Sequence, residues 1–190
     1  MGKSSLLNRL TGVDRAIVSS VAGTTRDVID QTIKRNGKEY VFLDTAGVRR
    51  GSKVGRGVEE LMVRRALKAA RRSDVCLLVI DATDGLSEQE ARLSTFANEA
   101  GRACVVVVNK WDLVANKDDR LYRSSRAYVE SKLSDVAWAQ CIYVSAKTGL
   151  KTQELFKAID AAAEQHQRRV GTSVMNEVRG RVRVQGSRQG

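Results

Sequence analysis

A chain of 190 residues with 42% hydrophobic content is long enough for one α/β domain with a sizeable core. No apolar run reaches the length of a membrane span, and the polar opening Met1-Gly2-Lys3 is no secretory signal. Leu6 stands where a myristoylation signal needs Ser or Thr. The formal charge of +11 points to a polyanion partner; four arginines fall in the last twelve residues and leave +7 for residues 1–178. Cys76, Cys104 and Cys141 are odd in number and lie at or beside apolar runs. They read as buried reduced thiols, not as a disulfide frame or a metal site. His166 lies in a polar helical stretch and reads as a surface residue.

In chain order, Gly2-Lys3-Ser4-Ser5 followed by Leu6-Leu7-Asn8-Arg9-Leu10 matches the back half of the phosphate loop G-x-x-x-x-G-K-S/T running into its helix. In that loop backbone N–H groups wrap phosphates, the Lys reaches the β/γ-phosphates and the hydroxyl binds Mg²⁺. Residues 18–27 form a polar, Gly-containing loop with Thr24 and Thr25. A Thr in such a loop can ligate Mg²⁺ and sense a γ-phosphate; the plainer reading is a surface connection. Residues 28–35 and 38–44 flank Asn36-Gly37, the preferred type I′ turn, and predict a β-hairpin. Its second strand ends in Asp44-Thr45-Ala46-Gly47. There an Asp can hold Mg²⁺ through water, and a Gly N–H can meet the γ-phosphate.

Residues 48–57 are rich in Gly and Arg and predict a mobile loop. The apolar spacing of Val58, Leu61, Met62, Ala66 and Ala69 predicts a helix. V-C-L-L-V-I-D, residues 75–81, predicts a strand, and Leu93, Phe96, Ala97 and Ala100 mark the next helix. Four valines at 105–108 predict a strand buried on both faces, whose carboxyl end delivers Asn109, Lys110, Trp111 and Asp112. Ligands sit in such crevices in open α/β sheets. Trp111 is expected to pack beside a bound base or over a neighbouring helix. Residues 120–136 predict a helix, and 141–144 a short strand ending in Ser145-Ala146-Lys147-Thr148-Gly149. Leu155, Phe156, Ile159 and Ala162 mark a final helix. The alternation predicts a doubly wound α/β sheet with flanking helices.

Five signals thus occur in the order G-K-S, T-T-R-D, D-T-A-G, N-K-W-D and S-A-K-T-G, the last three each after a predicted strand. The chain resembles the Era/TrmE/Der class of P-loop GTPases. Within it the likeness is closest to the second GTPase domain of the Der (EngA) family, over about residues 2–178. The stretches that carry it include A-G-T-T-R-D, D-T-A-G-V-R-R, E-A-G-R-A-C-V-V-V-V-N-K-W-D-L-V and T-S-V-M-N-E-V. The resemblance implies GTP/GDP and Mg²⁺ as ligands. Lys3 then neutralises β/γ-phosphate charge, with Gly2 and Ser5 beside it. Ser4 ligates Mg²⁺, with Thr25 as switch partner and Thr24 adjacent, and Asp44 holds the ion through water. Thr45, Ala46 and Gly47 follow at the γ-phosphate. Asn109, Lys110 and Asp112 frame guanine, whose ring N–H and exocyclic amine both donate to the Asp carboxylate. Adenine lacks that donor pair, and mismatches of this sort discriminate by a factor of about 10⁴ to 10⁵. Ser145, Ala146 and Lys147 close over the base, the Ala146 N–H reaching the guanine carbonyl.

The resemblance further implies slow GTP hydrolysis, assistance to large ribosomal subunit assembly, and ribosomal RNA as partner. A monomer without membrane association is expected, in bacterial cytoplasm or plastid stroma. Val48 stands where other GTPases place a water-orienting Gln, so K⁺ stimulation of the kind known in TrmE-type relatives is expected. The expected division is a GTPase domain over 1–170, the start of a KH-like domain over 171–178, and a disordered basic tail over 179–190. The first phosphate-loop Gly and the strand before it have no counterpart in the chain. In the family that strand lies between the strand ending at Asp44 and the strand at 75–81, and neighbouring strands are spaced about 4.8 Å apart. A chain lacking it is expected to bind GTP more weakly than one with the strand restored. The competing reading is a non-enzymatic remnant, at most a basic RNA-binding fragment.

Overall fold

The computed structural model describes residues 2–12, 31–43, 64, 66–115 and 117–168. The first element, α1 (Lys3–Gly12), buries Leu6, Leu7 and Leu10, the helical spacing that turns one face of a short helix into core. The hairpin follows as β1 (Gln31–Arg35) and β2 (Lys38–Phe42), antiparallel, with Arg35 opposite Lys38. Asn36 and Gly37 both adopt positive φ, 49° and 75°, as a type I′ turn requires. Residues 66–72 are helical and include Ala66 and Ala69 of the predicted apolar face.

Three parallel strands form the centre: β3 (Val75–Asp81), β4 (Ala103–Asn109) and β5 (Gln140–Tyr143), in spatial order β3-β4-β5. Every residue of β4 is buried, as expected for a run of β-branched side chains with both faces covered. The pleat sends alternate residues to opposite layers. Val79, Val105, Val107, Ile142 and Val144 pack on one face with Leu6 and Leu10 of α1, Ile33 of the hairpin, and Leu155 and Phe156. Leu78, Ile80, Cys104, Val106, Val108 and Tyr143 pack on the other with Trp111, Val129, Leu133 and Val136. The covering helices are α2 (Glu88–Glu99), α3 (Asp119–Lys132) and α4 (Thr152–Gln167). Glu90 caps the start of α2 by accepting from the Ser87 N–H at 3.0 Å, and Asp118 caps α3 by accepting from the Leu121 N–H at 2.7 Å.

The α/β class and the parallel core match the expectation from the alternating elements. Among the described residues the hairpin forms a sheet of its own, with no ladder to β3. It is held instead by α4: Tyr40 Oη donates to Asp160 at 3.0 Å, Lys38 pairs with the same carboxylate at 2.9 Å, and the Tyr40 ring meets Phe156 edge-on at 5.0 Å.

One boundary differs. The helix expected through residue 136 ends at Lys132, and a 3₁₀ turn, Ser134–Val136, follows. Leu133 leaves helical geometry at φ −113°, ψ 50°, while Val129, Leu133 and Val136 all stay buried. Their spacing of four then three fits a continuous helix equally well, so periodicity alone conceals the break. The thiols also divide: Cys104 is buried, while Cys76 and Cys141 are only partly so. Burial pushes the Cys104 thiol up to about 12, with Cys76 adding to the shift, so it stays protonated. His166 is exposed as expected, and among the described residues no helix is long and apolar enough to cross a membrane.

Leu155 is fully buried between α4 and the sheet. Leu155→Ala is expected to lower unfolding free energy by about 2–5 kcal/mol, read as a lowered urea midpoint at unchanged slope.

Candidate functional site

The register of the parallel strands decides what meets at their carboxyl ends. Asp81, the last residue of β3, pairs in register with Asn109, the last of β4. The Val144 N–H donates to the Val108 carbonyl at 2.8 Å, and the Trp111 N–H donates to the Val144 carbonyl at 3.0 Å. The polar segments 109–112 and 145–147 are thereby held side by side.

Asn109 is 1% exposed, and its Oδ1 accepts from the Ala146 N–H at 3.0 Å. The start of α1 closes on the same amide. Gly2 sits at φ 72°, and a Cβ there would lie 2.7 Å from Asn109 Nδ2, so only glycine fits without a shift. Asn109 therefore touches both Gly2-Lys3-Ser4 and Ser145-Ala146-Lys147. Lys3 opens α1 and is exposed, as is Ser5, while Ser4 is half-buried. Backbone N–H groups at such a helix start favour an anion.

Lys110 adopts the left-handed conformation, φ 62°, ψ 28°, and Trp111–Leu113 forms a 3₁₀ turn that carries the half-buried Asp112. Trp111 anchors that turn. It is 3% exposed, donates from Nε1 to Tyr122 Oη at 2.8 Å, and meets the Tyr143 ring at a 56° tilt, 4.5 Å between centroids. The expected packing of Trp111 over a neighbouring helix is met through Tyr122 of α3. Burial pushes the Tyr143 phenol up to about 12, so that ring stays neutral.

The 145–147 loop is braced from within. Ser145 is fully buried, its Oγ accepts from the Thr148 N–H at 3.0 Å, and its carbonyl accepts from the Gly149 N–H at 2.9 Å. Ala146 is buried and Lys147 exposed. Thr24, Thr25, Asp44, Thr45, Ala46 and Gly47 lie outside the described residues. So do the 48–57 loop, Val58, Leu61 and Met62, and the segments 171–178 and 179–190.

Two residues of the site carry no sequence signal strong enough to single them out. Asp81 is 1% exposed and pairs with Lys110 Nζ at 2.5 Å, and its Oδ1 accepts from Thr83 N and Oγ1 at 3.1 and 2.7 Å. Burial alone would raise its carboxyl, but Lys110 and Thr83 outweigh that and hold it below the ordinary carboxylate range. An acid closing an otherwise apolar strand is its only trace in the sequence. Arg9 is the second: its Nε donates to the Ala146 carbonyl at 2.8 Å, from 137 residues away.

With this geometry, the family model described as "50S ribosome-binding GTPase" matches residues 1–110. The chain belongs to the 50S ribosome-binding GTPase family. It is similar to GTPase Der of Synechococcus sp. (strain JA-3-3Ab), 49% identical over 178 residues, covering 94% of this chain and 39% of that protein. Against GTPase Der of Thermosynechococcus vestitus the identity is 50%, over 94% of this chain and 40% of the relative. The chain spans about two fifths of the length of these relatives. Among solved structures, translation elongation factor SelB from Methanococcus maripaludis, in complex with the GTP analogue GppNHp, shares the fold at a TM-score of 0.61. Its identity is 21%, over 90% of this chain and 32% of that one. The Der likeness and the P-loop GTPase fold expected from the motifs are thereby supported by whole-chain comparison.

The Asp81–Lys110 pair gives a pH prediction. A carboxyl held low in the folded state stabilises the fold above about pH 4, and that contribution is lost as pH falls through the folded pKa. Asp81→Asn is expected to cost about 1–2 kcal/mol at pH 7, near the low end for charge-assisted bonds because Lys110 is open to solvent. In urea titrations the gap between parent and variant should narrow below pH 4; a gap constant with pH would contradict this.

Proposed function

We propose that this chain is the GTPase domain of a GTP-binding and GTP-hydrolysing switch that assists assembly of the large ribosomal subunit. The observation that carries the reading is the convergence on buried Asn109 of the α1 start and the 145–147 loop, beside the Asp112 turn. The α1 start suits phosphates by the positive end of its helix dipole and by the direction of its backbone N–H groups. The turn and loop suit a purine, with the Asp112 carboxylate selecting the two donors on guanine.

The roles follow position by position. Gly2, Lys3, Ser4 and Ser5 take the β/γ-phosphates, and Lys3 offsets charge that builds on them during transfer. Asn109, Lys110 and Asp112 frame the base. Ser145, Ala146 and Lys147 close over it, and the Ala146 N–H, already donating to Asn109, meets the guanine carbonyl as a shared bond. Ser4, Thr25 and Asp44 suit Mg²⁺ as hard oxygen donors; when bound, the ion neutralises phosphate charge. Thr24, Thr45, Ala46 and Gly47 complete the γ-phosphate side; Val48 stands in place of a water-orienting Gln, and K⁺ supplies the charge that an arginine finger gives elsewhere. The GTPase unit spans 1–170, with 171–178 opening a KH-like domain and 179–190 a basic tail. Ribosomal RNA is the polyanion that suits a charge of +11. The protein acts as a monomer in bacterial cytoplasm or plastid stroma.

Nucleotide competition tests the reading. GTP should displace a fluorescent GDP analogue at least 10³-fold better than ATP, since the mismatch leaves the Asp112 carboxylate without its donors. Asp112→Asn should weaken GTP by about two orders of magnitude and leave the melting temperature within a few degrees. Hydrolysis should run faster in K⁺ than in Na⁺. Equal affinity for GTP and ATP would remove the basis of the proposal.

A further inference from the structure

Arg9 lies two turns into α1, half-buried, and its guanidinium crosses to the loop after β5. Nε donates to the Ala146 carbonyl at 2.8 Å, and a terminal nitrogen donates to the Lys147 carbonyl. One planar fork thus holds two successive carbonyls, which a Lys ammonium, a point charge on a flexible stem, does not reproduce. The peptide unit is planar, so fixing the Ala146 C=O also fixes the Lys147 N–H. Fixing the Lys147 C=O likewise sets the Thr148 N–H, which closes on Ser145 Oγ at 3.0 Å. Both carbonyl oxygens turn toward α1, so the N–H groups of the same two peptide units turn away from it. The near end of α1 is locked as well, where Gly2 abuts Asn109. The helix that begins with Lys3 and Ser4 is therefore tied to the base-side loop at two points.

We infer that Arg9 is a positioning residue for purine recognition, holding the peptide unit between Ala146 and Lys147 so that the Lys147 N–H joins the Ala146 N–H at the 6-oxygen of guanine. It rests on the guanine site proposed above and adds a residue that touches neither base nor phosphate. Arg9 makes base reading and phosphate binding parts of one rigid unit: a shift of α1 carries the loop with it. A bond that only stabilised the fold would weaken all nucleotides alike. A bond that orients the loop acts on the 6-position alone.

Three nucleotides separate these outcomes, each measured in the full chain by displacement of a fluorescent GDP analogue. GTP carries the 6-oxygen and the 2-amine, inosine triphosphate only the 6-oxygen, and 2-aminopurine riboside triphosphate only the 2-amine. In Arg9→Ala, GTP and inosine triphosphate should each weaken about tenfold, the factor given by about 1.4 kcal/mol of binding, and 2-aminopurine riboside triphosphate should be unchanged. Arg9→Lys keeps the charge and reaches one carbonyl, so its selective loss should be about threefold, and it carries the test if the Ala variant does not fold. Weakening of all three nucleotides by one factor, or of none, would overturn the assignment. A parent chain that holds GTP and ATP equally would overturn the guanine site beneath it, which is a different result.

Discussion

A primary amide at the end of a fully buried strand cannot rely on water. Asn109 is 1% exposed, and the cost of leaving its donors and acceptor unpaired in such a place is about 1–3 kcal/mol per group. The protein meets that demand by bringing other segments to it. The Ala146 N–H donates to its Oδ1, and the backbone of Gly2 packs close enough against Nδ2 to exclude any side chain at that position. The remaining geometry depends on this requirement. It holds the loop after β5 at the strand end against which the start of α1 also packs, and Lys110-Trp111-Asp112 continues directly from Asn109.

Much of this was legible in the sequence because it is local. Four valines in a row dictate a strand covered on both faces. Asn36-Gly37 dictates a type I′ turn, and both residues take the positive φ it needs. The order of the polar motifs after strands places them on one edge, since parallel strands all end on the same side of a sheet. Local pattern failed where two structures satisfy it equally, as with Val129, Leu133 and Val136, buried with or without a break in the helix. It also failed where the partner is distant. Arg9 on an exposed-looking turn of a short helix gives no hint of carbonyls 137 and 138 residues away. Asp81 shows only as an acid at the end of an apolar run. Strand register explains it, because residue 81 lies beside residue 109 and therefore within reach of residue 110.

The placement of Asp112 shows how a core can set the aim of a surface group. The turn that carries it is only three residues long, too short to hold a fixed direction by its own hydrogen bonds. Its first residue, Trp111, is clamped between Tyr143 of β5 and Tyr122 of α3, with ring centroids 4.5 and 5.1 Å away. Its preceding residue, Lys110, is held in a left-handed conformation uncommon for a side chain of that length, with Asp81 fixing the far end. The two residues leading into Asp112 are thus fixed by packing and pairing that involve no ligand.

A division of labour follows from burial. Asn109, Asp81 and Ser145 are at most 1% exposed, are satisfied by the protein itself, and form the frame. Lys3 and Lys147 are exposed and Asp112 is half-buried, so their charges remain solvated without a ligand and cost the fold little. A charge kept near water can exchange hydration for a partner, whereas a buried polar group already bonded cannot change partners without breaking the frame. Lys3, Lys147 and Asp112 are therefore the groups placed to exchange water for a ligand, while Asn109 and the Ala146 N–H both hold the frame and line the proposed base site. Arg9 joins the two sets: its bonds belong to the frame, and the peptide units it orients lie next to residues that face solvent.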